Sequence, residues 1–288
     1  MLALQVLTNG LVLGALYACI AVGFSLVWGV LNVINIMHGS FIVLGSYLAW
    51  LSYANFGIDP WYTLAIAAPL FFGTGYLLQR GLLNRVLAAP VLVTLTLTFG
   101  LDLILNNGML LAFSADFRKL LLDPPLGTLS LGEIVVPIDR LLAMVLALAL
   151  TLMLYLILRH FRVGRAIIAV RMDKDASLLM GVNIKTIYAV AFGLGAAMAG
   201  CAGVLLALIF PISPLSAGAY LGKAFVVCVL GGLGSVPGAV LGGLFLGLME
   251  SIGTVTFGPE HSVTLSFALL IVFLIFRPHG LLGKKGYE

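Results

Sequence analysis

Of 288 residues, 62% are hydrophobic and only 9% charged, and the formal net charge at pH 7 is +4. Soluble domains carry about a quarter charged residues, so too little charge is present to clothe a water-facing surface, and lipid must cover most of the outside. The small positive balance is no nucleic-acid footprint, because the lysines and arginines sit at the ends of apolar stretches.

No Asp, Glu, Lys or Arg precedes Asp59, and none lies between Lys185 and Lys223. Each gap exceeds the roughly 20 apolar residues that cross a bilayer as a helix. The apolar start lacks the basic n-region of a cleaved signal and reads as a retained first span. Apolar stretches run over Leu4–Val27, Gly39–Ala54, Trp61–Leu78, Leu87–Phe113, Leu141–Leu158, Ile187–Ile209, Ala224–Thr256 and Val263–Phe276. Inside Ala224–Thr256, the run Gly231-Gly232-Leu233-Gly234-Ser235-Val236-Pro237-Gly238 cannot continue one straight helix. It predicts two helices or a pair of half-helices, broken within the membrane beside a cavity or covered by protein. The expected fold is all-α: a polytopic transmembrane helical bundle of about eight or nine membrane segments with broken or re-entrant helices, forming one domain over residues 1–288.

Basic residues set the orientation. Arg80 and Arg85 flank one connection; Arg159, Arg162, Arg165, Arg171, Lys174 and Lys185 crowd another; Arg277, Lys284 and Lys285 close the chain. Alternating spans put all three regions on one side, read as cytoplasmic, with the N-terminus outside. The longest outer connection, Ser114 to Asp139, carries Asp116, Asp123, Glu133 and Asp139 against Arg118, Lys119 and Arg140, and its Leu129–Pro137 part reads as a short hairpin-like or surface segment. Small residues concentrate in Phe192–Gly203, the composition of closely approaching membrane helices.

Polar groups inside the apolar segments are few: Asn32, Asn35, His38, Asp102, Asn106, Asn107, Lys223 and Glu250. An ionisable group in a span costs about 2.5–3.5 kcal/mol on insertion scales, which makes it a functional candidate. Asp102 and Asn106 are one helical turn apart and share a face, which Thr94 and Thr98 extend; the stripe serves the transport path or an interhelical hydrogen-bond seam. Glu250 is expected to face an outer vestibule, and Lys223, near the end of its segment, to snorkel. His38 suits capping or helix packing as well as substrate contact. The glycines Gly231, Gly232 and Gly234 mark the break, which is expected to lie at or beside the transport path.

No catalytic set converges. His38, His160, His261 and His279 lack metal-binding spacing, and Cys19, Cys201 and Cys228 are unpaired in apolar runs. The phosphate-binding pattern is absent, since Gly218 and Gly222-Lys223 are too closely spaced and Ala224 stands where Ser or Thr is required. ATP, if used, binds another polypeptide.

Four segments carry a family resemblance: Asn32 to Phe41, with its asparagine and His38-Gly39; Arg162 to Ile184; Lys223 to Gly243 followed by Glu250; and Arg277-Pro278-His279-Gly280-Leu281-Leu282-Gly283. Over essentially its whole length the chain resembles the shorter permease subunit of branched-chain amino-acid ABC importers. The resemblance implies a path shared with a second, homologous permease, two ATPase subunits holding ATP and Mg on the cytoplasmic face, a periplasmic substrate-binding protein outside, and a bacterial inner membrane; this chain itself binds no cofactor or metal. It also makes residues 159–185 the coupling loop. Where the family motif begins Glu-Ala-Ala, this chain has Asp175-Ala176-Ser177, followed by Leu178, Leu179 and, at the expected distance, Gly181. Asp173 or Asp175 would stand at the N-terminus of a short helix that Gly181 closes; an amphipathic turn lying on the membrane is the other reading of the same residues. The family it resembles also includes importers of urea, short amides and aromatic acids. The competing classes are an ion-coupled secondary transporter using Asp102 or Glu250, which leaves Asp175–Gly181 unexplained, and a membrane-embedded enzyme.

Overall fold

The computed structural model describes every residue except 1, 88, 124, 126, 132, 133, 278, 279 and 283–288. Glu133, His279, Lys284 and Lys285 therefore lie outside the described residues. In chain order the elements are α1 (Leu2–Leu31), α2 (His38–Phe56), α3 (Pro60–Leu78), a π turn (Gln79–Leu83) leading into α4 (Asn84–Val86), and α5 (Val91–Phe113). An antiparallel hairpin follows, β1 (Thr128–Leu131) and β2 (Ile134–Pro137), then α6 (Ile138–His160), α7 (Arg162–Met172), α8 (Lys174–Leu179), α9 (Ile184–Ala207), α10 (Ala217–Gly231), α11 (Val236–Phe257) and α12 (Ser262–Phe276).

Among the described residues, seven helical stretches are long and apolar enough to cross a membrane: α1, α3 through α4, α5, α6, α9, α10 with its leading 3₁₀ turn, and α11. The expected count is corrected accordingly. α12 is shorter, and α2, with Ser40, Ser46 and Ser52 along it, is less apolar. Helices α1 and α9 form the centre, 89% and 83% buried over their apolar windows, whereas α5 is only 11% buried and lies at the edge.

Small residues allow this centre to close. Gly10 and Gly14 of α1 face Gly247 and Gly243 of α11, and a methyl on Gly14 would stand 2.7 Å from the Leu244 Cα. Ser46 donates to the Gly203 carbonyl across the α2–α9 contact, 2.7 Å.

The chain has two ends. At one, Arg80, Arg85, Lys174 and Lys185 surround a cavity of about 1050 Å³, Asn84 Nδ2 donates to the Lys185 carbonyl at 3.1 Å, and Arg171 donates to the Gly234 carbonyl. At the other, Gln5 pairs with the Val135 backbone in both directions, 3.1 and 3.2 Å, and the Tyr53 hydroxyl accepts from the Asp123 N–H. The three basic regions thus share one end through their described residues, opposite the hairpin and the start of α1.

Helix α1 runs from the hairpin end to the basic end, and Asn32 closes it in the left-handed region at φ 51°, a conformation asparagine tolerates. Residues 33–35 then continue without helix or turn. By the start of α2 the chain has climbed back, because the His38 ring meets the Ile20 carbonyl, about 17 Å from the basic end of α1 at 1.5 Å per residue. α9 does the reverse: it runs to the hairpin end, and the chain from Leu208 to Ser216 returns inward before α10 begins at Ala217. The N-termini of α2 and α10 meet, since a Cβ on Gly39 would fall on the Ala217 carbonyl. Packing obeys the same exchange, for α1 lies chiefly on α11 and α9 chiefly on α3. These are two inverted units, an arrangement known in transporters.

The Gly231–Gly238 break is not at mid-membrane, as the sequence suggested. It is the turn between α10 and α11 at the basic end, and the partner of the Asn32–Met37 break is residues 208–216. The chain's tail seals this turn: the Leu281 and Leu282 N–H groups donate to the Leu230 and Gly231 carbonyls at 2.8 and 3.1 Å. Gly280 has φ +77°, and a Cβ there would stand 2.6 Å from the Gly232 nitrogen, so only glycine fits.

Candidate functional site

The α2 break is lined by α5. Thr98 Oγ1 donates to the Ile34 carbonyl at 3.2 Å, Ser40 at the first turn of α2 donates to Asp102 Oδ1, and Asn106 Nδ2 donates to Asp102 Oδ2 at 3.0 Å. Thr94 is buried further along the same stripe, bonded to the Val91 carbonyl. The face shared by Thr94, Thr98, Asp102 and Asn106 is therefore the face α5 turns to the non-helical segment. In an apolar medium that segment's backbone needs partners, and Thr98 supplies one.

Asn32 is exposed at the turn. Asn35 is 1% exposed, yet neither side-chain amide atom has a partner among the described residues. His38 is fully buried; its Nε2 donates to the Ile20 carbonyl at 3.0 Å, and its ring stands edge-on to Phe24, 5.4 Å between centroids. It thereby ties the start of α2 to α1. Buried unpaired polar atoms are uncommon, and here Asn35, the His38 Nδ1 and the Asn106 Oδ1 are gathered around one helix break and its lining helix.

Glu250 stands apart from this group. Its Oε1 lies 2.7 Å from Lys223 Nζ, the two side chains being 7% and 11% exposed, and Lys223 also donates to the Tyr17 hydroxyl at 2.7 Å. Lys223 does not snorkel, and Glu250 faces α10 rather than an open vestibule. The pairing escaped the sequence reading because 27 residues and a helix break separate the partners. Ser40 escaped it because a serine in an apolar run resembles a packing residue.

At the basic end, Gly231, Gly232 and Gly234 surround Arg171 and the tail strap, with Gly234 Cβ space filled by the Arg171 guanidinium. Beyond Arg171, Asp173 caps α8 by accepting from the Ala176 N–H at 2.9 Å, and Gly181 follows at φ +81°. Asp175 and Ala176 lie exposed on α8, Ser177 is turned in and bonded to the Asp173 carbonyl, and Leu178, Leu179 and Met180 point outward. Leu179 is 87% exposed.

An apolar bundle of two inverted units, with polar side chains gathered at the break of the first, has the build of a multi-pass membrane protein. Residues 6–274 match the family described as the permease component of the branched-chain amino acid transport system, and the chain belongs to that family. It is 35% identical to the high-affinity branched-chain amino acid transport system permease protein BraD of Pseudomonas aeruginosa, over 99% of this chain and 97% of that one. It is 34% identical to LivH of Escherichia coli, a permease protein of the same description, over 99% and 97%. It is also 29% identical to LivM of Escherichia coli, over 93% of this chain and 68% of LivM. Among solved structures, PsaBC from Streptococcus pneumoniae in complex with Fab shares the fold, with a TM-score of 0.51 over 94% of this chain and 92% of that one at 12% identity. The chain is thus a transport permease, and the ion-coupled alternative is not favoured.

Proposed function

We propose that this permease carries branched-chain or closely related amino acids across a bacterial inner membrane as the shorter of two homologous permeases in an ATP-driven importer. Near full-length similarity to BraD and LivH carries this reading; similarity to both LivH and LivM supports a pairing of homologous permeases. A periplasmic binding protein delivers cargo at the hairpin end. Two ATPase subunits, which hold ATP and Mg, dock on the basic end, where α8 presents Leu178, Leu179 and Met180. Closure of the ATPases displaces α8, which adjoins α7 and α9 directly. Through Arg171 and Gly234 the same displacement reaches the α10–α11 turn. The two inverted units then exchange the side on which their breaks open, by as much as nucleotide binding differs between the two states.

The complex reconstituted with its ATPases and binding protein is expected to accumulate radiolabelled leucine in an ATP-dependent manner. Uptake of urea or benzoate in preference to leucine would assign a different cargo. Orientation has its own test. In a chain lacking the buried free thiols of Cys19, Cys201 and Cys228, Lys174→Cys should resist an impermeant thiol reagent on intact cells and react after permeabilisation. Equal labelling before and after would invert the orientation.

A further inference from the structure

We propose that Asp102 and Asn106 form the subsite that receives the ammonium group of a zwitterionic cargo, an inference that rests on the amino-acid reading above. Asp102 lies midway along α5, about 16 Å from either end. A carboxylate at that depth calls for a counter-charge, and the other deep one, Glu250, has Lys223. Asp102 has no cationic partner among the described residues; its two oxygens accept only from the Ser40 hydroxyl and from Asn106 Nδ2. Beside it the Asn106 Oδ1 is buried and receives no donor among the described residues.

The Ser40 hydroxyl and Asn106 Nδ2 are already committed to Asp102, while a negative charge and a carbonyl-type oxygen remain undersupplied one helical turn apart. What complements them is a compact cation rich in N–H groups. A primary ammonium has three donors and one positive charge, enough to engage both oxygens at once. A bare metal ion would find too few ligands, since no group of three or more His, Cys, Asp or Glu side chains is gathered among the described residues. Ser40 and Thr98 stand between the pair and the α2 break, while Asp102 and Asn106 themselves are only partly buried. Urea, a neutral amide or a plain carboxylic acid does not supply the missing charge, so the permease itself, and not only its binding protein, discriminates for amines.

The test uses the reconstituted complex with leucine, leucinol (which keeps the ammonium and lacks the carboxylate) and 4-methylpentanoate (the reverse). Presented at the basic end, where the binding protein plays no part, leucine and leucinol are expected to slow uptake and 4-methylpentanoate is not. Asp102→Asn should lower leucine uptake at least about tenfold, the scale for removing one side of a desolvated charge pair, and abolish inhibition by leucinol. Asp102→Glu should restore a large part of both, which a merely structural seam would not do. Inhibition by 4-methylpentanoate equal to that by leucinol, or full uptake by Asp102→Asn, would overturn the proposal. Loss of the second permease from purified Asp102→Asn would also overturn it, in favour of an ion pair between subunits. A wild-type complex that carries urea or an amine-free acid and not leucine would instead show that the amino-acid reading itself has failed.

Discussion

Lys223→Met is expected to destabilise the folded permease by about 3–5 kcal/mol, and Lys223→Met combined with Glu250→Leu to recover most of that loss. Removing the lysine leaves Glu250 as an uncompensated charge, 7% exposed, whose second oxygen already lacks a donor among the described residues. It also strips the Tyr17 hydroxyl of its donated hydrogen bond and the Tyr17 face of a cation 4.7 Å from its centroid. With both partners replaced by apolar side chains of similar volume, nothing charged remains to desolvate. Thermal unfolding of the purified single and double variants measures the cycle. Additive losses, with the double variant worse than either single one, would show that the pair contributes little as a pair.

Leu179→Asp should release the ATPase subunits, weakening their association by about a hundredfold, the range for a central apolar anchor. Leu178, Leu179 and Met180 are 59%, 87% and 84% exposed at the basic end, although water is a poor environment for them. The helix that presents them is short and depends on its caps. Asp173→Ala, which removes the hydrogen bond to the Ala176 N–H, should therefore give a milder version of the same defect, about 1 kcal/mol. Copurification of the ATPases and substrate-stimulated hydrolysis are the measurements. If Leu179→Asp retains both, α8 rests on the membrane surface instead, and the coupling assignment falls.

Much of this architecture was legible because charge in a membrane protein is confined to the ends of its spans. The gaps before Asp59 and between Lys185 and Lys223 located the central helices α1 and α9, and the basic residues identified which connections share an end. Depth was not legible. Hydropathy cannot distinguish a chain that crosses from one that turns back, so Gly231–Gly238 read as a mid-membrane break. The Asp102–Asn106 face was visible from helical spacing alone. Its partners Ser40 and Ile34 were not, because they are brought there by the α2 break, and the Lys223–Glu250 pair depends on how α10 crosses α11.

The tail strap bears on the order in which the molecule is completed. Leu281 and Leu282 satisfy carbonyls at the end of α10, yet they leave the ribosome only after α11 and α12 have been made. Until then the end of α10 is an open helix terminus beside the glycine turn that holds Arg171. A nascent chain interrupted after α12 would lack this latch, and the Leu230 and Gly231 carbonyls would be without the two N–H groups that close the turn in the longer chain.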